Sequence, residues 1–474
     1  MNLLDQVIAF IADQNVDAYF VGGLVRDELL GRAVKRDIDL AIDGEAAELA
    51  RAFADAQHGA FYLMDEEHDV ARVILDDTYI DFARLRGNLR DDLATRDFTI
   101  NAMARQLGSN ELTDPFHGQK HLREKQVCAV SDQVFQHDPV RLLRAIRIAR
   151  ELDFTIGGHT EKLMRRDAHL LQFASMERAR DEFCKILALP NCVAALRQMD
   201  DLGLLHALLP EVTLLKGVTQ SAPHEYDVFD HTLSALEALL KIQARAYDEV
   251  ANGEFAGELQ THFNQFVSAE RTRGTWLRVI TLLHDIGKAS TRSVDEHGAI
   301  HFYGHETVGA KMAEDLLRRL RFSKDEIDLA LLAIENHLRP AQLAHEGHVS
   351  NRAAYRFFRD TGDAGIDTCV LALADWRGKA RHIDLTRDAQ QRATNAILLD
   401  RFFNAAAQVI APPILIDGHT LMKELGIKPG KQLGALLEMI REAQAAGEIK
   451  TRKEAIEFAR KILTEDDGRK IERF

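Results

Sequence analysis

The chain has 474 residues, too many for one ordinary domain, so roughly two to four domains are expected. Hydrophobic residues make up 46% and charged residues 28%, the balance of a soluble, core-forming protein. Lys plus Arg number 60 against 74 Asp plus Glu, a net charge of −14, which argues against non-specific coating of nucleic acid but leaves room for a local basic groove.

The N-terminal stretch carries Asp5 and Asp13 where a signal peptide would be basic and then apolar, and no apolar run approaches 18 residues, so no membrane span is expected. Leu3, Leu4, Val7, Ile8 and Ile11 fall at helical spacing over residues 3–14. "AYFVGG" reads as a strand ending in glycines, "LVRDELLG" as a helix stopped by Gly31, "DIDLAID" as a strand and "EAAELARAFADAQ" as a helix. "VARVILDD" and "TYIDFARLR" form a hairpin around Asp76–Thr78. The first 115 or so residues therefore mix strands and helices. From about Asp138 onward apolar residues recur every three or four positions, and only 9 prolines interrupt the chain, so the remainder reads as helical. Residues 245–275 are polar and poorly periodic, a loop or insertion. "APPI" at 411–414 marks a boundary before a last helical module. Cys128, Cys184, Cys192 and Cys369 show no CxxC spacing, which indicates neither a zinc ribbon nor a disulfide framework and suits the reducing cytoplasm.

Three constellations carry chemistry. In the first, Asp37 and Asp39 alternate onto one face of a strand, where two carboxylates repel unless they share cations, and hard oxygen ligands suit Mg²⁺. Asp81 stands on a strand that can lie beside them as a third carboxylate. Gly22 and Gly23 precede a helix start, whose N–H groups and dipole attract phosphate, with Arg26 in the first turn. Singly these are an ordinary turn and an acidic strand edge. Strand, GG, helix, strand and DxD within about 20 residues resemble the nucleotidyltransferase superfamily that includes DNA polymerase beta, in which two Mg²⁺ ions serve an in-line displacement.

In the second, "DDLATRDFTINAMA" is followed by "QHDPVRLLRAIRIAR". Asp138 and Arg141 are three apart, neighbours on a helix, with Arg144 close by and Arg147 and Arg150 drifting round it. A carboxylate accepts from an exocyclic amino group and a guanidinium donates to a ring nitrogen, so such a pair favours C and A over U and G without a template. Alone it would be a surface salt bridge of little worth. GGxVRD, DxD, RDxTxNA, "LTDPFHGQKHLREK", DPxRxLRAxRxA, "ERARDEFCKIL" and "LGLLHALLPEV" occur in the order of the bacterial class II tRNA nucleotidyltransferases, the CCA-adding enzymes and the related poly(A) polymerases, which this chain resembles from about Tyr19 to the C-terminal module.

That resemblance implies an α+β protein: a polymerase-beta-like nucleotidyltransferase head over residues 1–137, a helical neck and body over 138–220, an HD domain over 221–395 and a helical tail over 396–474. It implies cytoplasmic addition of CMP, and of AMP in a full CCA enzyme, to tRNA from CTP and ATP. Gly22, Gly23 and Arg26 would bind the triphosphate, and Asp37 and Asp39 the Mg²⁺. Arg96, Asp97 and Asn101 would contact the nucleotide and its sugar, Asp138 and Arg141 would read the base, and Arg144 and Arg147 would support it. Glu177 and Arg180 would stiffen the neck, and Tyr226 with the helical body would grip the top half of tRNA. Three departures stand out. Thr95 replaces the usual first Arg before Arg96, His137 replaces the usual Glu before Asp138, and only Asn88, Leu89 and Arg90 separate "FARLRG" from "DDLATRD". Relatives that add only CC share that shortened segment. A poly(A) polymerase is the alternative, although such enzymes usually carry a basic tail and lack the third constellation.

The third constellation is the ordered set His231, His284–Asp285 in "HDIGK", His305, His337 and Asp375, the pattern of the HD-domain phosphohydrolases. Imidazoles and carboxylates from several helices can converge on one or two divalent metals. The resemblance implies phosphatase or 2′,3′-cyclic phosphodiesterase activity with a Mn or Ni type metal. A phosphohydrolase whose head only binds nucleotide is a further reading.

Overall fold

The computed structural model of the chain describes residues 3–14, 16–32, 37–109, 111–268 and 270–465, with the side chains of Asp37 and Glu465 outside that description. It divides into two compact units, residues 1–208 and 209–474.

The first unit is built on a mixed seven-stranded sheet. Its elements in chain order are α1 (Leu3–Ala12), β1 (Asp17–Val21), α2 (Gly23–Leu29), β2 (Asp37–Asp43), α3 (Ala46–Gln57), β3 (Ala60–Asp65), β4 (Val70–Leu75), β5 (Thr78–Arg84), α4 (Leu89–Ala94), β6 (Ala104–Gln106) and β7 (Leu112–Thr113). The spatial order is β3-β4-β5-β2-β1-β6-β7. β2 runs parallel to β5 and every other neighbour is antiparallel. Alternation decides the layering: Ile38, Leu40 and Ile42 are buried, and so are Ile80 and Phe82 on β5, while the aspartates between them face the other way. α3 covers the apolar face with Leu49, Phe53 and Ala54. The β4–β5 hairpin turns where its sequence predicts, pairing Leu75 with Thr78.

Beyond the sheet, helix Arg141–Leu152 buries Leu142, Leu143, Ala145, Ile146, Ile148 and Ala149 and turns its arginines outward. Helix Met176–Ala188 packs against it. The helix starts only at Arg141. Asp138 before it is extended (φ −151°, ψ 98°), because Pro139 disfavours the helical conformation in the residue ahead of it. Asp138 and Arg141 are therefore not a pair within one helix.

The second unit is helical. Helices Val228–Ala244 and Gly365–Gly378 lie so close that a Cβ on Gly378 would come 2.6 Å from the Ala235 nitrogen. Residues 245–275 are not a loop. They contain helix Ala256–Asn264 and a short hairpin, Phe266–Ser268 with Arg271–Thr272, leading into helix Arg273–Leu283. Sparse apolar anchors do the work there: Tyr247, Val250, Leu259 and Phe263 are buried, and the Tyr247 and Phe263 rings stack at 4.5 Å. After "APPI" the last three helices enclose their own core of Leu421, Leu436, Ile440, Ala455 and Ala459. All four cysteines are free thiols. Among the described residues no helix is long and apolar enough to cross a membrane.

Candidate functional site

β1 delivers Val21 opposite Asp39 on β2, and the chain then turns at Gly22 (φ 75°, ψ −138°) into α2. The turn is tight. A Cβ on Gly22 would sit 2.8 Å from Asp39 Oδ2 and 3.0 Å from Arg96 Nη1. The bare glycine thus lets the turn approach the strand carboxylate and a guanidinium at once.

Around that turn opens a cavity of about 350 Å³. Of the residues expected to bind nucleotide or metal, Gly22, Gly23, Asp39, Arg96, Asp97, Asn101, Asp138, Arg141 and Arg144 line it. Six arginines and four aspartates face it, so the site is locally positive in an acidic chain. Asp97 is the hub. Its Oδ1 accepts from the Phe98 backbone N–H (2.8 Å) and the Asn101 amide (2.9 Å), and its Oδ2 from Arg144 Nε (2.9 Å). Burial pushes this carboxyl up, but Arg144 and the three hydrogen bonds outweigh it and hold it below its ordinary range, so it stays an anion.

Three expected residues do something else. Arg26 lies outside the cavity wall; it is buried, donating to Asp27 (2.8 Å) and to Asn101 Oδ1 (2.9 Å). It orients Asn101. Arg147 does not line the cavity; it is bound to Glu182 (2.6 Å) and Glu151 (2.8 Å). Asp81 does stand beside Asp39 on the neighbouring strand, but both its oxygens accept from Arg72 of β4 (2.7 and 2.8 Å). Its charge is already met.

Asp138 and Arg141 approach only to 3.8 Å. Arg141 donates instead to the Thr95 carbonyl (2.7 Å), and Asp138 is held by Arg178, at 2.6 Å to Oδ2 and 3.2 Å to Oδ1. Arg178 and Glu182 were missed by sequence reasoning, which chose Glu177 and Arg180 from the same stretch. Glu177 is exposed and Arg180 pairs with Asp181, whereas Glu182 is buried between Arg147 and Arg144 (3.6 Å). Helical spacing was the available signal: Arg178 and Glu182 are four apart, on one face of their helix. His137 is exposed. The connection from Arg84 to Leu89 is only four residues long, with the Asn88 side chain capping α4 through the Asp91 N–H (3.0 Å).

In the second unit five segments bring all six expected ligands together. His231 Nε2 lies 3.0 Å from Asp375 Oδ1 and 3.3 Å from Asp285 Oδ2. His284 Nε2 is 3.2 Å from Asp285 Oδ2, and His305 and His337 reach Asp285 Oδ1 at 3.4 and 3.8 Å. His284, His305 and His337 each donate Nδ1–H to the carbonyl three residues back, Thr281, Phe302 and Ile334, at 2.6–2.7 Å. That fixes the tautomer and leaves Nε2 turned inward. The Nε2 atoms of His231, His284 and His305 are buried without a hydrogen bond, a costly arrangement unless a cation fills the centre. Burial lowers His284, but Asp285 beside it dominates and raises it to about 10; burial and the neighbouring charge of His284 push His337 down to about 3. The cluster demands positive charge at its centre. The donor set therefore fits divalent metal. Lys288 Nζ, 2.7 Å from Asp285 Oδ2, and Lys379, 3.6 Å from Asp375, stand at its margin. Tyr226 lines a separate cavity of about 810 Å³ in this unit, with Lys241 and Arg381.

Comparison with known proteins agrees with this geometry. A model of the poly A polymerase head domain matches residues 18–89 and 86–128, the HD domain model matches 228–377, and a model of tRNA nucleotidyltransferase domain 2 matches 305–459. An A-adding tRNA nucleotidyltransferase of Deinococcus radiodurans is 34% identical over 460 residues, 95% of this chain and 96% of the relative. The chain belongs to the tRNA nucleotidyltransferases. A CC-adding tRNA nucleotidyltransferase of Thermus thermophilus is 30% identical over 452 residues, 93% of each chain. The fold is that of a CCA-adding enzyme solved in complex with CTP (TM-score 0.64, 23% identity, 97% of this chain and 94% of that one). As a family member this chain is a transferase of the tRNA 3′ end; the HD cluster falls within the matched HD domain, while the head cavity takes its lining from Gly22 to Asn101 from the matched head domain and adds Asp138, Arg141, Arg144 and Arg178 from beyond it.

Proposed function

We propose that the head cavity adds CMP to the tRNA 3′ end, selecting the base with protein alone. The observation that carries this reading is the convergence of Asp39, the Gly22 turn, Arg96 and the Asp138–Arg178 pair on one cavity. Asp39 and Asp37 would hold Mg²⁺; the missing Cβ at Gly22 leaves space beside Asp39 for it. When bound, that ion supplies charge neutralisation for the triphosphate and activation of the attacking hydroxyl. The tRNA 3′-oxygen bonds to the α-phosphorus, the bond to the bridging oxygen breaks, and pyrophosphate leaves, while the hydroxyl proton passes to solvent. Arg96 and Arg144 face the departing negative charge, and Asn101, set by Arg26 and Asp97, faces the sugar. The Asp138 carboxylate accepts from the exocyclic amino group of C or A, and Arg141 donates to the ring nitrogen; a carbonyl at that position sets acceptor against acceptor.

The four-residue link from Arg84 to Leu89 supports CC addition, since it leaves no free segment to reshape the pocket for a second base. Similarity to the A-adding relative supports AMP addition alone as the second reading. Incubating the protein with tRNAs ending before C74, C75 and A76, with CTP and ATP separately and together, separates them. CMP without AMP means CC addition, AMP alone on tRNA ending in CC means A addition, both means a full CCA enzyme, and repetitive AMP means a poly(A) polymerase.

We infer further that the second unit is a metal-dependent phosphohydrolase, with His231, His284, Asp285, His305, His337 and Asp375 holding a Mn or Ni type ion. Water bonds to phosphorus, the P–O ester bond breaks, and the proton of water passes to the leaving oxygen. Metal analysis with hydrolysis of a 2′,3′-cyclic nucleotide tests it. The two compact units are read as four functional parts: head 1–137, neck and body 138–220, HD domain 221–395 and tail 396–474.

A further inference from the structure

One aromatic surface beside the HD cluster has no part in holding it. Tyr303 is 76% exposed, yet it is not loose. Its ring lies flat on that of His301, centroids 5.0 Å apart and planes within 10°. His301 is itself fixed: Nε2 is 2.8 Å from Asp295 Oδ2, while Asp295 Oδ1 accepts from the backbone N–H groups of His297 and Ala299, both at 2.9 Å. The hairpin that carries His301, Ser293–Val294 with Ile300–His301, is tied down where Ile300 N–H donates to Ser221 Oγ at 2.9 Å. One face of the tyrosine is therefore stacked and oriented, and the other faces solvent.

The placement gives that face a use. Only Gly304, in the left-handed conformation (φ 72°), separates Tyr303 from the cluster residue His305, so their Cα atoms lie at most about 7.6 Å apart. Phe302, just before Tyr303, accepts the His305 Nδ1–H on its carbonyl (2.7 Å) and holds its ring 5.4 Å from Lys288 Nζ. Four consecutive residues thus link an oriented aromatic face, an ammonium group and a cluster that demands positive charge. A ribonucleoside phosphate has the same layout, with a flat base one ribose away from an anion.

We propose that the His301–Tyr303 stack is a base platform for the HD site, so that its substrate class is ribonucleoside phosphates, including the 3′-terminal nucleotide of an RNA, rather than phosphate esters in general. This rests on the phosphohydrolase reading above. Stacking has no hydrogen-bond readout, so the platform accepts all four bases and prefers purines for their larger face. Base–aromatic stacking is worth enough to change affinity about tenfold per base.

The test compares wild type with Tyr303→Ala and Tyr303→Trp in the full chain. Hydrolysis of adenosine 2′,3′-cyclic monophosphate is measured against that of glycerol 2-phosphate, which has no base. Binding of the cyclic nucleotide to metal-free protein is measured by calorimetry. Tyr303→Ala is expected to raise KM and the metal-free Kd for the nucleotide about tenfold, with at least five times less effect on glycerol 2-phosphate, and Tyr303→Trp to restore both. Equal losses on the two esters, or an unchanged nucleotide Kd, overturn the platform even where His284→Ala abolishes hydrolysis and the phosphohydrolase reading stands. If no variant or wild type hydrolyses either ester, yet Tyr303→Ala still weakens binding tenfold and Trp restores it, the platform stands and the hydrolytic reading falls.

Discussion

Replacing Gly22 by Ala should stop nucleotide addition more completely than its size suggests. The backbone there has φ 75° and ψ −138°, a region that L side chains rarely adopt and that costs of order 1–3 kcal/mol. The new methyl would also meet Asp39 Oδ2 at 2.8 Å, where ordinary contact needs 3.4 Å, so the carboxylate must retreat by about 0.6 Å (3.4 − 2.8). A displacement of that order at a reacting centre lowers the rate roughly tenfold to a hundredfold. The strain itself, taken as about 2 kcal/mol, lowers the melting temperature of a unit of this size by about 4–8 °C. Single-turnover incorporation of CMP and AMP on tRNA lacking its 3′ end, with a thermal melt, reads both. Gly23→Ala is the control: its Cβ meets only the Arg26 guanidinium, at 3.4 Å and without a positive φ, so its loss should be at least tenfold smaller. Activity of Gly22→Ala within threefold of wild type would refute the claim that the bare glycine sets the position of Asp39.

Arg178→Ala removes both contacts to Asp138, and because Arg178 is half exposed the loss is about 1 kcal/mol, roughly fivefold in discrimination of CTP over UTP, measured by competitive incorporation. His284→Ala should abolish metal uptake by the second unit, read by elemental analysis, and leave CMP addition in place; loss of both would mean that the two sites are not independent. Glu326→Gln should destabilise the second unit by about 2 kcal/mol at pH 7, since buried Glu326 accepts from Arg271 (2.7 Å) and from the Ser323 backbone and hydroxyl (2.9 and 2.7 Å). Burial pushes that carboxyl up, but Arg271 and Ser323 hold it below its ordinary 4.5, so its contribution is fully present above about 4.5 and fades as pH falls through the folded value. The variant's denaturant midpoint should therefore lose that part of the acid dependence.

The elements that position the head site were legible because each is a local pattern. Alternation in "DIDLAID" sets Ile38, Leu40 and Ile42 into the core with Asp39 on the other face, and "VARVILDD…TYIDFARLR" closes into the expected hairpin with Asp81 opposite Asp39. What the sequence could not tell was which charge meets which. Asp81 takes Arg72 across the hairpin, Asp138 takes Arg178 forty residues on, and Arg26 takes Asn101 seventy-five residues on. A chain with 60 basic and 74 acidic residues offers each carboxylate many partners, and only tertiary placement chooses among them. Residues 245–275 misled for a related reason: four buried anchors suffice to fold a segment whose average composition is polar.

The convergence of the HD cluster was legible further, down to every residue that meets there, and the difference is chemical. Three of its histidines, His284, His305 and His337, sit at helix ends and give Nδ1–H to the carbonyl three residues back, so local geometry turns their Nε2 inward. Its carboxylates have mainly imidazoles and two marginal lysines for company, so few alternative pairings exist. The head cavity is the opposite case. There Arg96 pairs with Asp92, Arg144 with Asp97 and Arg178 with Asp138 before any nucleotide arrives. Under the proposed function a triphosphate would therefore displace or recruit existing partners, and selectivity would follow from which pairs can be broken. Asp138 illustrates this. Arg178 already occupies both its oxygens, so on the proposed reading a base that offers an N–H donor at the remaining lone pairs binds without loss, and a carbonyl does not. The net charge of −14 does not oppose this, because charges beyond about 8 Å are screened at physiological salt and the cavity responds to its own arginines.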